Sequence, residues 1–296
     1  MRLMNLMRQF ATVACLAMNV ASASNMGMDG SFGFGDGRAR ADVTTSGNGA
    51  SAMVRMQDGR LVLAGSCVGP NNYDFCVVRF TRAGVLDTSF NSTGKVLSDV
   101  GSGDDVANAL VVRGNGSVTV AGRCNSNGQS FCLVRYTESG ELDPTFNSNG
   151  KVVTRLGDGV QEEATAIIAD DFGRVIVAGY CSVGGNRAFC LARYHYDGTL
   201  DQSFNATAAP ADRGKKIFHP ADDALANAAL LLPDARILQV GSCRNGLDAP
   251  HMCAVRYLPD GDLDTSFNGT GVFIGPSYVA ASTVANAAAV KPNGTI

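Results

Sequence analysis

The sequence predicts an all-β fold: a β-propeller-like array of four-stranded antiparallel blades, four complete and one truncated. Three observations predict it. Sequence blocks recur down the chain, strand-length runs sit between Asx-Gly turn signals, and the composition holds 35 glycines and no tryptophan in 296 residues.

The recurrence comes first, because a fixed period decides the architecture before any local reading. One block reads GSCVGPNNYDFCVVRF at 65–80, GRCNSNGQSFCLVRY at 122–136, GYCSVGGNRAFCLARY at 179–194 and GSCRNGLDAPHMCAVRY at 241–257. A second reads LDTSFN at 86–91, LDPTFN at 142–147, LDQSFN at 200–205 and LDTSFN at 263–268, with a degenerate copy, MDGSFG, at 28–33. Its aspartates fall at 29, 87, 143, 201 and 264, a spacing of about 57 residues typical of repeat arrays. Ala52, Ala109, Ala166, Ala228 and Ala287 keep the same register ahead of each Gly-Cys block. The units run approximately 28–85, 86–141, 142–199, 200–262 and 263–296, all within a single repeat domain, 24–296.

Each unit offers four strand-like runs; in the second they are 95–100, 107–113, 117–122 and 131–137. Val118 and Val120 alternate with smaller or polar neighbours, the period-2 sign of a strand with one core face. Asp58-Gly59, Asn115-Gly116 and Asn293-Gly294 then predict tight type I′ hairpins, whose central residues both need positive φ. The fourth copy has Asp234-Ala235, where alanine would be strained, so another turn is expected there. No window sustains a helical period. Four short antiparallel strands per repeat describe a propeller blade.

The first 23 residues read as an export signal. Arg2 and Arg8 precede a mostly apolar stretch, Phe10 to Val20, and Ala21-Ser22-Ala23 supplies the small-x-small cleavage pattern. That stretch is too short to span a bilayer. A competing reading makes Cys15 a lipid-modified cysteine, at the cost of an apolar region of only about five residues. Removing the signal takes away Cys15 and leaves eight of the nine cysteines, an even count that reads as disulfides in an oxidising compartment. The expected location is secreted, periplasmic or cell-surface.

The order LDxSFNxxGxV, an Ala-x-Ala strand, a DG or NG turn and a VAGx strand ending in xxRY resembles the bacterial delta-60 repeat family, from Met28 to Ile296. The resemblance implies a β-propeller-like arrangement in exported or cell-surface proteins, and no single reaction or ligand. The paired cysteines depart from the family's usual pattern and suggest added stabilisation outside the cell. The sequence stops where a third strand of the fifth unit should continue, and MDGSFG alone cannot complete that blade. An open array would leave an exposed edge, which natural proteins avoid, so a fragment of a longer array is expected.

The pairs Cys67/Cys76, Cys124/Cys132, Cys181/Cys190 and Cys243/Cys253 each bracket a short connection between the expected third and fourth strands of a blade. Hairpin neighbours bring such positions within bridging distance, whereas zinc would want CxxC pairs or nearby histidine. The three histidines, His195, His219 and His251, are out of register. Arg79, Arg135, Arg193 and Arg256 each follow the second cysteine by three residues. They could ring a tunnel mouth and bind anions. A framework pairing with the repeat aspartates Asp87, Asp143, Asp201 and Asp264 is preferred, since a binding site rarely needs identical copies. The LDxSFN block lacks the run of carboxylates of a calcium loop. An Asx-turn at a blade corner, with Phe90, Phe146, Phe204 and Phe267 in the core, accounts for it.

No metal site is assigned; the weak candidates are the acidic pairs Asp104-Asp105, Glu162-Glu163 and Asp222-Asp223, whose ordinary fate is a solvated loop. Sequons at Asn91 and Asn268 are turn-residue coincidences in this composition. No catalytic residue or cofactor motif stands out. The candidate binding loops lie where the fourth unit differs, at Lys215, Lys216, His219 and His251. A net charge of −3 gives no reason to expect nucleic acid or an anionic membrane. The reading reached is a non-enzymatic scaffold or binding module, its partner a protein or glycan at the cell exterior, with no nucleic acid and no membrane span. A propeller lyase or glycan hydrolase and a calcium-stabilised adhesion module are the alternatives.

Overall fold

The repeats of this chain alternate core-facing valine, leucine and alanine with turn residues, and the described residues fold as four up-and-down meanders. The structure is a computed structural model that describes residues 28–33, 35–158, 160–246, 248–276 and 282–291. The signal reading of residues 1–23 and the Asn293-Gly294 turn lie outside the described residues. The first sheet holds β1 (Asn48–Arg55), β2 (Leu61–Val68), β3 (Tyr73–Phe80) and β4 (Lys95–Ser98). The second holds β5 (Val106–Val112), β6 (Val118–Asn125), β7 (Gln129–Tyr136) and β8 (Lys151–Thr154). The third holds β9 (Glu162–Ala169), β10 (Val175–Val183), β11 (Asn186–Tyr194) and β12 (Lys215–Phe218). The fourth holds β13 (Asp223–Leu231), β14 (Ile237–Arg244), β15 (His251–Tyr257) and β16 (Val272–Ile274). All neighbours pair antiparallel in chain order. A single 3₁₀ turn, Pro210–Asp212, is the helical content of the described residues.

The strands group differently from the sequence expectation in one respect. Residues 95–98 do not open the second sheet; they close the first, pairing with β3 from Val78↔Lys95 to Phe75↔Ser98. The LDTSFN corner reverses the chain and lays the next strand back on the one it just left. Each disulfide therefore joins the second and third strands of its sheet.

The hairpin turns also differ from expectation. Gly59 donates its amide to Met56 O and Met56 donates to Arg60 O, and the same pair of bonds recurs at Arg113–Ser117 and Leu232–Arg236. This is a three-residue loop in which one residue alone takes positive φ, as at Gly59 (90°) and Gly116 (80°), rather than a two-residue type I′ turn. The residue before it folds back as an Asx-turn: Arg60 N donates to Asp58 Oδ1 at 3.0 Å and Ser117 N to Asn115 Oδ1 at 3.1 Å. Contrary to the expected change of turn, Asp234-Ala235 keeps this loop and places Ala235 at φ 64°. Left-handed backbone costs a non-glycine residue about 1–2 kcal/mol, against about 0.5–1 kcal/mol of extra chain entropy lost by glycine. Ala235→Gly is expected to stabilise the chain by roughly 0.5 kcal/mol, seen as a higher urea midpoint at unchanged slope.

Glycine in the Gly-x-Cys block has a separate cause. The innermost strands bulge between Ala50 and Ala52, Ala107 and Ala109, and Ala226 and Ala228. A Cβ on Gly122 would meet the Val106 carbonyl oxygen at 1.8 Å, and one on Gly241 the Leu225 oxygen at 1.8 Å. Only glycine lets the bulged strand lie this close.

The core lies between successive sheets. Val62, Phe75, Phe90, Leu110 and Tyr136 join the first sheet to the second. Leu133, Phe146, Val177 and Tyr194 join the second to the third. Phe189, Phe204, Ala226 and Tyr257 join the third to the fourth. The extended segment 282–291 then covers the fourth sheet, Ala285, Ala288 and Val290 packing on Leu232, Leu238 and Val240. Among the described residues no core cluster joins the last sheet back to the first, so the array is not closed. No described helix is long and apolar enough to cross a membrane.

Candidate functional site

The innermost strands β1, β5, β9 and β13, with residues 286–288, wall a channel of about 1130 Å³. Met53, Leu110, Ile167 and Leu231 give it aliphatic sides. Ser51, Asn108, Thr165, Asn227 and Asn286 occupy the middle position of Ala-x-Ala, where the strand bulges. Three of these side chains reach sideways to the next unit. Asn108 Nδ2 donates to Ala164 O at 3.0 Å, Thr165 Oγ1 to Ala226 O at 2.9 Å, and Asn227 Nδ2 to Ala285 O at 3.1 Å. The bulge thus frees a carbonyl that the neighbouring unit's side chain satisfies.

At the hairpin end the rim carries charged groups with partners: Arg60 Nε lies 2.6 Å from Asp58, and Arg113 donates to the Gly173 carbonyl at 2.6 Å. Beyond the bulges lies an unrepeated cluster around Glu163. Its carboxylate accepts from Asn108 Nδ2 at 2.7 Å and from the Tyr180 hydroxyl at 2.8 Å, with Arg123 at 3.6 Å. Burial, then the Glu163 charge, pushes the Tyr180 pKa well above the ordinary phenol range, so this hydroxyl stays protonated as a donor.

The repeated arginines lie at the blade corners. Arg135 Nε donates to Asp143 Oδ2 at 2.8 Å and Nη2 to Thr145 Oγ1 at 2.9 Å, while Nη1 reaches the Tyr196 carbonyl of the next sheet. Arg79 repeats the set with Asp87, Ser89 and Glu138 O, and Arg193 with Asp201, Ser203 and Pro259 O. Arg256 bonds Asp264 and Ser266, and Arg236 supplies a second guanidinium to Asp264 at 2.7 Å. Each corner guanidinium also lies over the phenylalanine of its own LDxSFN block, 4.4 Å from the Phe146 centroid and 4.7 Å from Phe90, Phe204 and Phe267. Burial opposes ionisation of Asp143, but the Thr145 hydroxyl and amide and the Arg135 charge outweigh it and hold the carboxyl below its usual pKa; Asp87 and Asp201 follow the same pattern.

The corners also dock forward through the backbone. Asn91 N donates to Ser139 O at 2.6 Å, Asn147 N to Asp197 O at 2.7 Å and Asn205 N to Asp260 O at 2.6 Å. The degenerate 28–33 block does the same, Gly33 N reaching Ala83 O of the first sheet at 2.7 Å.

The eight cysteines form four disulfides, Cys67–Cys76, Cys124–Cys132, Cys181–Cys190 and Cys243–Cys253, with Cα separations of 5.7 to 5.9 Å. Lys215 and Lys216 lie on β12, the outermost strand of the third sheet, with His219 just after it, and Lys216 Nζ is 3.7 Å from Asp262. His251 opens β15 of the fourth sheet opposite Cys243. None of these four lines the channel, and the fold distributes them over two sheets. Asp222 Oδ2 accepts from Gly246 N at 2.8 Å. Asp223 is held by Arg187 and Arg244, and hydrogen bonds from Arg187 bring its pKa down to about 2. Asp104 Oδ1 accepts from Tyr73 N, and Asp105 is fully buried. Sequence reasoning passed over Asp74 and Asp99, which the fold brings to Asp105. The available signal was departure from the repeat: Ser130, Ala188 and His251 stand where Asp74 stands, two residues before the second cysteine.

Fold and repeats together define a β-propeller-like repeat protein. Four segments, 57–90, 113–146, 173–204 and 233–267, match the model of a domain of unknown function, the DUF5122 β-propeller. A comparison with curated proteins finds no match. Similar solved structures include a PL25 polysaccharide lyase, an ulvan lyase, at 10% identity and TM-score 0.41, covering 78% of this chain and 58% of the lyase. An exo-1,5-α-L-arabinanase from a bovine ruminal metagenomic library matches at 13% identity and TM-score 0.33, covering 74% of each chain. A DUF4623 family protein from Bacteroides eggerthii matches at 12% identity and TM-score 0.42, covering 83% of this chain and 53% of that one.

Proposed function

We propose that the protein is a non-enzymatic repeat module of the exported or cell-surface kind, a scaffold whose channel is its binding surface for a glycan or protein outside the cell. The observation that carries this reading is the use of the repeated charges. The recurring arginines and aspartates pair with one another at the corners, and the middle of the channel has aliphatic and amide walls, with charged residues such as Asp58, Arg60 and Arg113 joining the lining at the hairpin turns. Such walls favour binding over proton transfer. The export signal, the four disulfides and the delta-60 resemblance support a place outside the cytoplasm.

The test uses the disulfide-intact chain against immobilised neutral and acidic oligosaccharides and extracellular matrix proteins, with mass spectrometry of the oligosaccharides after incubation. Met53 lines the channel and is half exposed, so Met53→Arg alters the wall without opening the core. The expected result is saturable binding, weakened at least tenfold in Met53→Arg at unchanged melting temperature, and oligosaccharides recovered intact. Cleavage of any of them by the wild-type chain overturns the non-enzymatic reading; binding indifferent to Met53→Arg overturns the channel as its seat.

A further inference from the structure

Where the first sheet meets the second, three carboxylates converge that no other junction repeats. Asp74 comes from the start of β3, Asp99 follows β4, and Asp105 ends the connection that leads into β5. One oxygen from each lies within 4.8 Å of the other two. At the register positions of these residues the next junction carries Ser130, Arg155 and Glu162, and the one after it Ala188, His219 and Ala224.

Hydrogen-bond accounting gives a second, independent observation. Asp74 is 2% exposed and Asp105 is 0% exposed, and Oδ1 of each has no hydrogen-bond partner. The other oxygen of Asp105 accepts from Val100 N at 2.6 Å and Gly101 N at 3.1 Å, which holds the carboxylate in place beside Asp74 and Asp99. Buried carboxylate oxygens without donors are costly, and a site of this kind is completed by a cation or by a proton. Lys151 is the basic group at hand, but its Nζ donates to the Asp99 backbone carbonyl at 2.6 Å.

We infer that Asp74, Asp99 and Asp105 form a calcium site that ties the first sheet to the second. Calcium–oxygen distances of about 2.3–2.6 Å place opposite ligands up to about 5 Å apart, so oxygens within 4.8 Å of one another can share one such ion, and calcium accepts the irregular ligand set that the near-ideal octahedron of magnesium does not. Asp74 and Asp105 supply the inner wall, and the exposed Asp99 gives the ion a route from solvent, with water filling the remaining positions. Three carboxylates against one lysine leave a charge that a divalent ion offsets. The acidic pair suggested by sequence contributes one member only, because Asp104 turns to the Tyr73 amide.

The competing occupant is a proton. Burial raises the pKa of both Asp74 and Asp105 in the metal-free chain, the Asp99 and Asp105 charges adding to it at Asp74, while at Asp105 it outweighs the hydrogen bonds from the Val100 and Gly101 amides. With folded values above unfolded ones, these two groups stabilise the fold at low pH and lose that contribution as pH rises through the folded values. Asp99, Asp104 and Lys151 are the other charged groups at this junction.

The experiment titrates calcium chloride into the chelator-treated, disulfide-intact chain at pH 7 by calorimetry, with magnesium chloride in parallel, and records melting temperature with and without 5 mM calcium. The expected result is one site with Kd of about 10⁻⁴–10⁻³ M and a rise of roughly 3–6 °C, with a smaller response to magnesium. Asp99→Asn, at an exposed position that folding tolerates, should weaken calcium at least tenfold and remove the rise, as should Asp74→Asn. Asp222→Asn, at another of the acidic pairs, should leave both unchanged. No calcium binding, or equal binding in Asp99→Asn, overturns the site. A calcium-indifferent chain whose melting temperature climbs from pH 7 to pH 5 identifies a shared proton as the occupant instead.

Discussion

Opening all four disulfides is expected to remove on the order of 10 kcal/mol of stability. The bridged cysteines are 8 to 10 residues apart in sequence, and closing a loop of that length is worth about 2.5 kcal/mol in the chain-entropy model. Total stabilities of about 5–15 kcal/mol leave little or nothing folded after such a loss. The cysteines are at most 4% exposed, so a mild reductant added to the native chain will not reach them. The informative comparison is between chain refolded in oxidising and in reducing buffer. Removing one bridge, by Cys124→Ala with Cys132→Ala, should lower the melting temperature by roughly 5–10 °C. A reduced chain that melts within a few degrees of the oxidised one would show that packing, not the sulfur links, carries the fold.

The second large effect is expected at Arg135. Its side chain is 1% exposed and holds Asp143, Thr145 and the Tyr196 carbonyl at once, with its guanidinium over the rings of Phe146 and Tyr196. Arg135→Met leaves Asp143 buried without its counter-charge, which should cost about 3–5 kcal/mol. Lysine cannot make the three-way fork, so Arg135→Lys should recover only part of that. Arg256→Met offers an internal control. That side chain is 14% exposed, and Arg236 still neutralises Asp264, so the loss there should be distinctly smaller, about 1–2 kcal/mol. Urea unfolding of the three variants measures the difference. Equal losses at 135 and 256 would sink the view that the cost at Arg135 lies in leaving Asp143 without its counter-charge.

Much of this architecture was legible in the residues. Cysteine spacing marked which strands are bridged, since positions 8 to 10 apart across a hairpin fall opposite or diagonal to each other. The Asp of LDxSFN and the Arg of xxRY recur together because each is the other's counter-charge. Two things were not legible. Lys95–Ser98 carries strand patterning, but patterning names no partner, and only the corner geometry sends it back to β3 rather than onward to β5. Of the Asp74–Asp99–Asp105 cluster the sequence singled out Asp105 alone, in an acidic pair; Asp74 and Asp99 lie well apart in sequence and do not recur, so comparing the chain with itself treats them as noise. The hairpin loops fell between these cases. Asp-Gly located the turn, yet the Asx-turn made by Asp58 and Asn115 decided its length, and that same turn holds Ala235 in a backbone shape alanine alone would avoid.

Three recurring contacts between neighbours point one way: the asparagine amide of a corner, the outer guanidinium nitrogen and the bulge side chain each reach toward the following module. Front and back are therefore unlike, and the recurring joints are common to successive modules. Stability in such a stack is set by nearest neighbours, so gene duplication can lengthen or shorten it by whole modules with no fresh interface to invent. Modules become interchangeable parts, free to diverge at their exposed ends while the grammar of their joints stays fixed.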